Sequence, residues 1–94
     1  MKKVKKQVIV NRLRKYRRAR GLELEDAARI LGFADTSSLS RWEQGICLPS
    51  ATHLFRLAAL YRTLVDALYI DVLRTIRQEI QRREARAFAS KAHA

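Results

Sequence analysis

The sequence predicts an all-α fold of five helices, the last extended past the body of the domain. Three observations carry this. Apolar residues recur three or four apart along most of the chain, and the three glycines (21, 32, 45) and the single proline (49) fall where those runs stop. No strand-like alternation of convincing length interrupts them, with only Lys3 to Val10 ambiguous. At 94 residues the chain can bury one modest core and carry tails.

The elements follow in order. From Ile9 to Arg20 the positions Ile9, Leu13 and Tyr16 share one helical face, and Gly21 supplies the left-handed residue that commonly closes a helix. Leu24, Ala27, Ala28 and Leu31 form the apolar stripe of helix two. Glu23, Glu25 and Asp26 in its opening turn suit the positive end of the helix dipole, and Gly32 ends it. Asp35 can accept from the Ser37 or Ser38 amide and cap helix three, which runs to Gln44 with Leu39 and Trp42 inward and Gly45 behind it. Ile46 to Pro49 connect to helix four, which follows Ser50 and turns Leu54, Leu57, Ala58 and Tyr61 inward. Val65, Leu68, Tyr69, Val72, Ile76 and Ile80 then mark a last helix over about 64–88, too long for so small a body to cover. Its uncovered stripe predicts a two-fold homodimer through these six residues. The organisation expected is a basic arm over 1–8, a body over 9–70, the extended helix over 64–88 and a frayed tail over 89–94.

Charge is the largest departure from an average domain. Of a net +11, residues 1–20 carry ten Lys or Arg and no acid, so that segment holds +10 and the remainder +1. Such a polycationic end binds a polyanion by releasing condensed counterions, which puts nucleic acid first among partners and an anionic membrane second.

Other classes are weakly supported. The lone Cys47 builds no disulfide framework, and His53 and His93 lack zinc spacing with it, so no metal or cofactor is expected. No apolar run approaches a membrane span, and Val8 to Val10 is too short for a secretory signal, which leaves a cytoplasmic, nucleoid-associated protein as the expectation. No nucleophile, base and orienting group can be nominated together, so an enzyme is not expected.

Helices two and three, joined by a tight turn with small polar residues opening the second, have the arrangement that lets a helix enter the DNA major groove. The runs LRKYRRARGLELEDAARILGF, SLSRWEQG, PS and LFRLAALYRTLVDALY, spanning roughly residues 10–70, resemble the phage-repressor (Cro/Xre-like) helix-turn-helix family. That resemblance implies a lambda-repressor-like helix-turn-helix domain and a sequence-specific DNA-binding transcriptional regulator acting on double-stranded DNA as a homodimer. It maps base contacts onto Thr36, Ser37, Ser38, Ser40 and Arg41. Arg41 is the strongest, because its fork can bond both acceptors of a guanine edge. Candidates for backbone contacts are Lys5, Lys6, Arg12, Arg14, Arg18 and Arg20, and the opening amides of helices two and three are further phosphate candidates. The family's structural ion pair maps onto Arg17 and Glu43, with Leu13, Leu31, Leu39 and Trp42 as core anchors.

Departures from the family pattern are informative. Leu24 stands where a phosphate-holding Gln is frequent, and Glu23 stands in place of a capping Ser or Thr. Ile46, Cys47 and Leu48 follow Gly45 where a basic residue is common, and the turn before helix three is one residue longer. They motivate an alternative: a protein-interaction module on the same scaffold (antitoxin, anti-activator or co-regulator) whose partner meets Ile46, Leu48 or the C-terminal helix. A third possibility is a nonspecific nucleic-acid or membrane-surface binder using residues 1–20 alone.

Overall fold

The structure is a computed structural model and describes residues 7–92. Among them lie six helices and no strand: α1 (Leu13–Ala19), α2 (Leu24–Leu31), α3 (Ser37–Glu43), α4 (Ala51–Tyr61), α5 (Val65–Leu68) and α6 (Ile70–Ala92). The all-α expectation holds, with one helix more than the periodicity suggested.

Two boundaries differ, each for a specific hydrogen-bonding reason. Helix one begins at Leu13 and not Ile9, because Asn11 turns the chain: its Oδ1 accepts the Leu13 amide at 3.1 Å and its Nδ2 donates to the Ile9 carbonyl at 3.0 Å. The Ile9 amide donates to the Gly45 carbonyl at 2.9 Å. The helix expected over 64–88 divides at Tyr69 (φ −129°, ψ 35°). There the Arg12 amide takes the Leu68 carbonyl at 2.9 Å, removing the acceptor that a continuous helix would offer Val72. Beyond the break α6 runs to Ala92, through residues 89–92 that had read as a frayed tail.

The core is a single cluster: Leu13, Ala27, Ala28, Leu31, Leu39, Trp42, Leu57, Ala58, Tyr61 and Leu68. Leu68 is therefore a correction to the expected dimer stripe. It is fully buried against the body, because the break at Tyr69 turns α5 inward, and no partner can reach it. Phe33, Trp42 and His53 pack edge-on and tilted with ring centroids 5.3–5.9 Å apart, tying the α2–α3 turn to α4. Arg56 closes the same corner by donating to the Leu31 carbonyl at the end of α2 and lying 5.9 Å from the Phe33 ring centroid.

From Arg74 to Lys91 every residue of α6 is exposed, so this helix leaves the body instead of wrapping it. The overall extents, 58 × 43 × 20 Å, reflect that projection.

Candidate nucleic-acid interface

Helix α3 has two sharply different sides. Leu39 and Trp42 are 1% and 7% exposed and root it in the core, whereas Ser37, Ser38, Arg41 and Gln44 are exposed. Thr36 and Ser40 are only half-buried, and the Ser40 hydroxyl already accepts from Gln44 Nε2 at 2.8 Å, so these two are less available than the residues beside them. Burial of a leucine side chain contributes about 2 kcal/mol, so the inward pair fixes which side faces out.

Three contacts from outside the helix hold α3 in place. At its front, Asp35 Oδ1 accepts the Ser37 amide at 2.9 Å. That backbone bond, with help from the Ser37 side chain, holds the Asp35 carboxyl below its ordinary range. The helix itself starts after Thr36, one residue later than the cap at Asp35 implied. A carboxylate thus occupies the position where a phosphate would bond. At α2, Asp26 likewise accepts the Glu23 amide at 2.9 Å.

Along its side, Glu43 meets the buried Arg17 in a fork: Nε to Oε2 at 2.7 Å and a terminal nitrogen to Oε1 at 3.0 Å. The remaining arginine nitrogen donates to the Leu22 carbonyl at 2.8 Å. The Glu43 bond raises the Arg17 pKa further above its ordinary value, so the guanidinium keeps its charge within the fold.

At its back, Asn11 Nδ2 donates to the Trp42 and Glu43 carbonyls at 3.1 and 3.3 Å, satisfying terminal acceptors that have no partner within the helix. Gly45 follows with φ 76°, and a Cβ there would run into the Ile9 carbonyl and Val8. The segment entering α1 therefore lies directly over the end of α3.

The cations expected on the DNA backbone separate into two groups. Arg14 and Arg18 on α1 are exposed, Arg14 with a 3.5 Å contact to Glu43. Arg12 and Arg20 are turned inward. Arg12 pairs with Asp71 at 3.3 Å, and Arg20 donates to the Leu60 carbonyl at the end of α4. Both are drawn off because Asp71 in the first turn of α6 and the carbonyl at the end of α4 offer them partners. Lys5 and Lys6 lie outside the described residues. Sequence reading missed Asn11, Arg56 and the cost of any side chain at position 45. Only Asn11 carried a signal, as a good turn-forming residue ahead of a helix.

Among the described residues no three His, Cys, Asp or Glu side chains cluster as a metal site, and no helix is long and apolar enough to cross a membrane. A sequence profile of the helix-turn-helix domain matches residues 9–68, well over half of the chain. The chain belongs to the helix-turn-helix domain family. This agrees with the Cro/Xre-like resemblance in the sequence. No curated protein and no solved structure matches the chain. In this helix-turn-helix domain α2 and α3 are the helix pair and residues 32–36 the turn.

Proposed function

We propose that this protein is a sequence-specific DNA-binding transcriptional regulator that binds as a homodimer with α3 in the major groove. The observation that carries the reading is the division of α3. Its apolar residues and Glu43 are spent on the fold, and its exposed side presents Ser37, Ser38 and Arg41, the last with no hydrogen-bond partner for its fork among the described residues, beside exposed Arg14 and Arg18 on the adjoining α1. Arg41 reads a guanine edge, Ser37 and Ser38 make less selective contacts, and the α1 cations position the domain on phosphates. The exposed positions Ile76 and Ile80 on α6, with half-buried Val65, Tyr69 and Val72, supply the dimer contact. The protein acts by binding, without catalysis.

Selection of bound sequences from a random DNA pool tests this. An inverted repeat with half-sites about 34 Å apart is expected. No enrichment, or affinity without a salt slope, overturns it.

A second reading is favoured by Ile46 and Leu48, which are 55% and 56% exposed where the family usually carries a cation. In it the scaffold docks a protein partner through that apolar loop. Ile46→Ser with Leu48→Ser would then abolish the partner complex and leave the pool selection intact.

A further inference from the structure

We propose that α6 pairs with α6 of a second copy in an antiparallel coiled coil, in a register fixed by two ion pairs, Arg77 with Glu84 and Glu79 with Arg86. This rests on the homodimeric reading above and supplies its geometry. Leu73, Ile76, Ile80, Arg83, Ala87 and Ser90 recur at alternating spacings of three and four, the a and d positions of a heptad. They lie on the part of α6 that leaves the body or adjoin it, and Ile76 and Ile80 are each 47% exposed.

The flanking charges decide direction. Arg77 and Glu84 fall at e, and Glu79 and Arg86 at g. Antiparallel helices bring e to e and g to g, so Arg77 meets Glu84 and Glu79 meets Arg86 of the second copy, opposite signs in both cases. One two-fold axis, between residues 81 and 82, satisfies both pairs. A parallel pair brings g against the next e, placing Glu79 on Glu84 and Arg86 on Lys91, like charges in both cases. Within one chain Glu79 already touches Arg83 at 3.4 Å, an exposed contact that leaves it free to accept a second cation.

Packing agrees with the same register. It sets Ile76 against Ala87 and Leu73 against Ser90, large against small. Leu73 and Ile76 floor an open apolar groove of about 230 Å³ walled by Leu48, Leu54, Val65 and Tyr69. The small Ala87 and Ser90 of the second copy suit that open groove. Arg83 faces Ile80, covering it with its methylene stem while the guanidinium reaches solvent. At about 1.5 Å per residue the register places the two Ile70 residues about 34 Å apart along the bundle, close to one turn of DNA.

The test is sedimentation equilibrium of the full chain without DNA, with circular dichroism to confirm that each variant is folded; Arg77 and Glu84 are both exposed. A dimer is expected for the native sequence. Arg77→Glu and Glu84→Arg alone should each raise the dimer Kd by about tenfold or more, and the double variant should restore it. A parallel pair predicts the reverse for Glu84→Arg, which would relieve repulsion and tighten the dimer. A native monomer, tightening by Glu84→Arg, or failure of the double variant to recover overturns the proposal. A monomer that still selects an operator overturns the coiled coil and leaves the DNA reading standing, whereas a dimer of the expected charge behaviour that binds no DNA does the opposite.

Discussion

Asn11 and Trp42 are 31 positions apart in sequence, yet the Asn11 amide nitrogen donates to the Trp42 carbonyl at 3.1 Å. The same side chain starts α1 through the Leu13 amide, so one residue sets the relation between the first helix and the end of α3. Asn11→Ala should cost about 2 kcal/mol in urea unfolding, since it removes the partner of several part-buried backbone groups at once. A loss below about 0.5 kcal/mol would show that solvent replaces the asparagine.

The Arg17–Glu43 pair should behave as a buried unit. Arg17→Met or Glu43→Leu alone is expected to lower unfolding free energy by about 3–5 kcal/mol, because each leaves an uncompensated charge. The double replacement should recover most of that loss. Additive losses in the double-mutant cycle would mean that the two charges do not depend on each other.

On DNA, Arg41→Ala should remove about 1–3 kcal/mol of discrimination at one base pair and change the selected sequence there. Arg18→Ala should instead weaken binding to all sequences and reduce the salt slope by about one. Fluorescence anisotropy over a salt series separates the two. A uniform effect of Arg41→Ala would assign it to phosphate.

Alkali should unfold the domain through two phenols. Burial pushes Tyr61 and Tyr69 up to about 12 from 10.0, so above pH 10 the unfolded chain releases its protons before the folded one. Stability from these groups is intact below pH 10 and declines between 10 and 12, by at most about 2–3 kcal/mol per phenol. Tyr61→Phe should remove part of that decline in pH-dependent thermal melts; an unchanged profile would locate the titration elsewhere.

Two backbone positions predict opposite outcomes. Arg62 ends α4 in the left-handed region (φ 55°), so Arg62→Gly should stabilise by about 0.5–1 kcal/mol. Gly45→Ala should destabilise by more than about 1 kcal/mol, since strain is joined by collision with the Ile9 backbone. Differential calorimetry reads both signs; equal shifts would show that the turn after α3 yields.

The sequence made α2 and α3 legible because each has an apolar stripe and a local stop, and α4 because its stripe follows Pro49 and Ser50. Leu24–Leu31 between its acids and Gly32, and Leu39 with Trp42 before Gly45, depend on neighbours within one or two turns. What it hid depends on distant groups. The break at Tyr69 arises from the Arg12 amide bonding the Leu68 carbonyl, which no local pattern encodes, whereas the late start of α1 follows from the Asn11 turn beside it. Arg12 and Arg20 looked like Arg14 and Arg18 in sequence, and only the positions of Asp71 and the Leu60 carbonyl separate them.

Because Asp35, Arg17 and Asn11 hold α3 from its front, flank and rear, the outward residues Ser38 and Arg41 carry little of the burden of folding. Substitution there can drift at little thermodynamic cost. If α3 reads DNA as proposed, a lineage of such proteins could acquire new targets by changing two letters, leaving the machinery that grips the helix untouched.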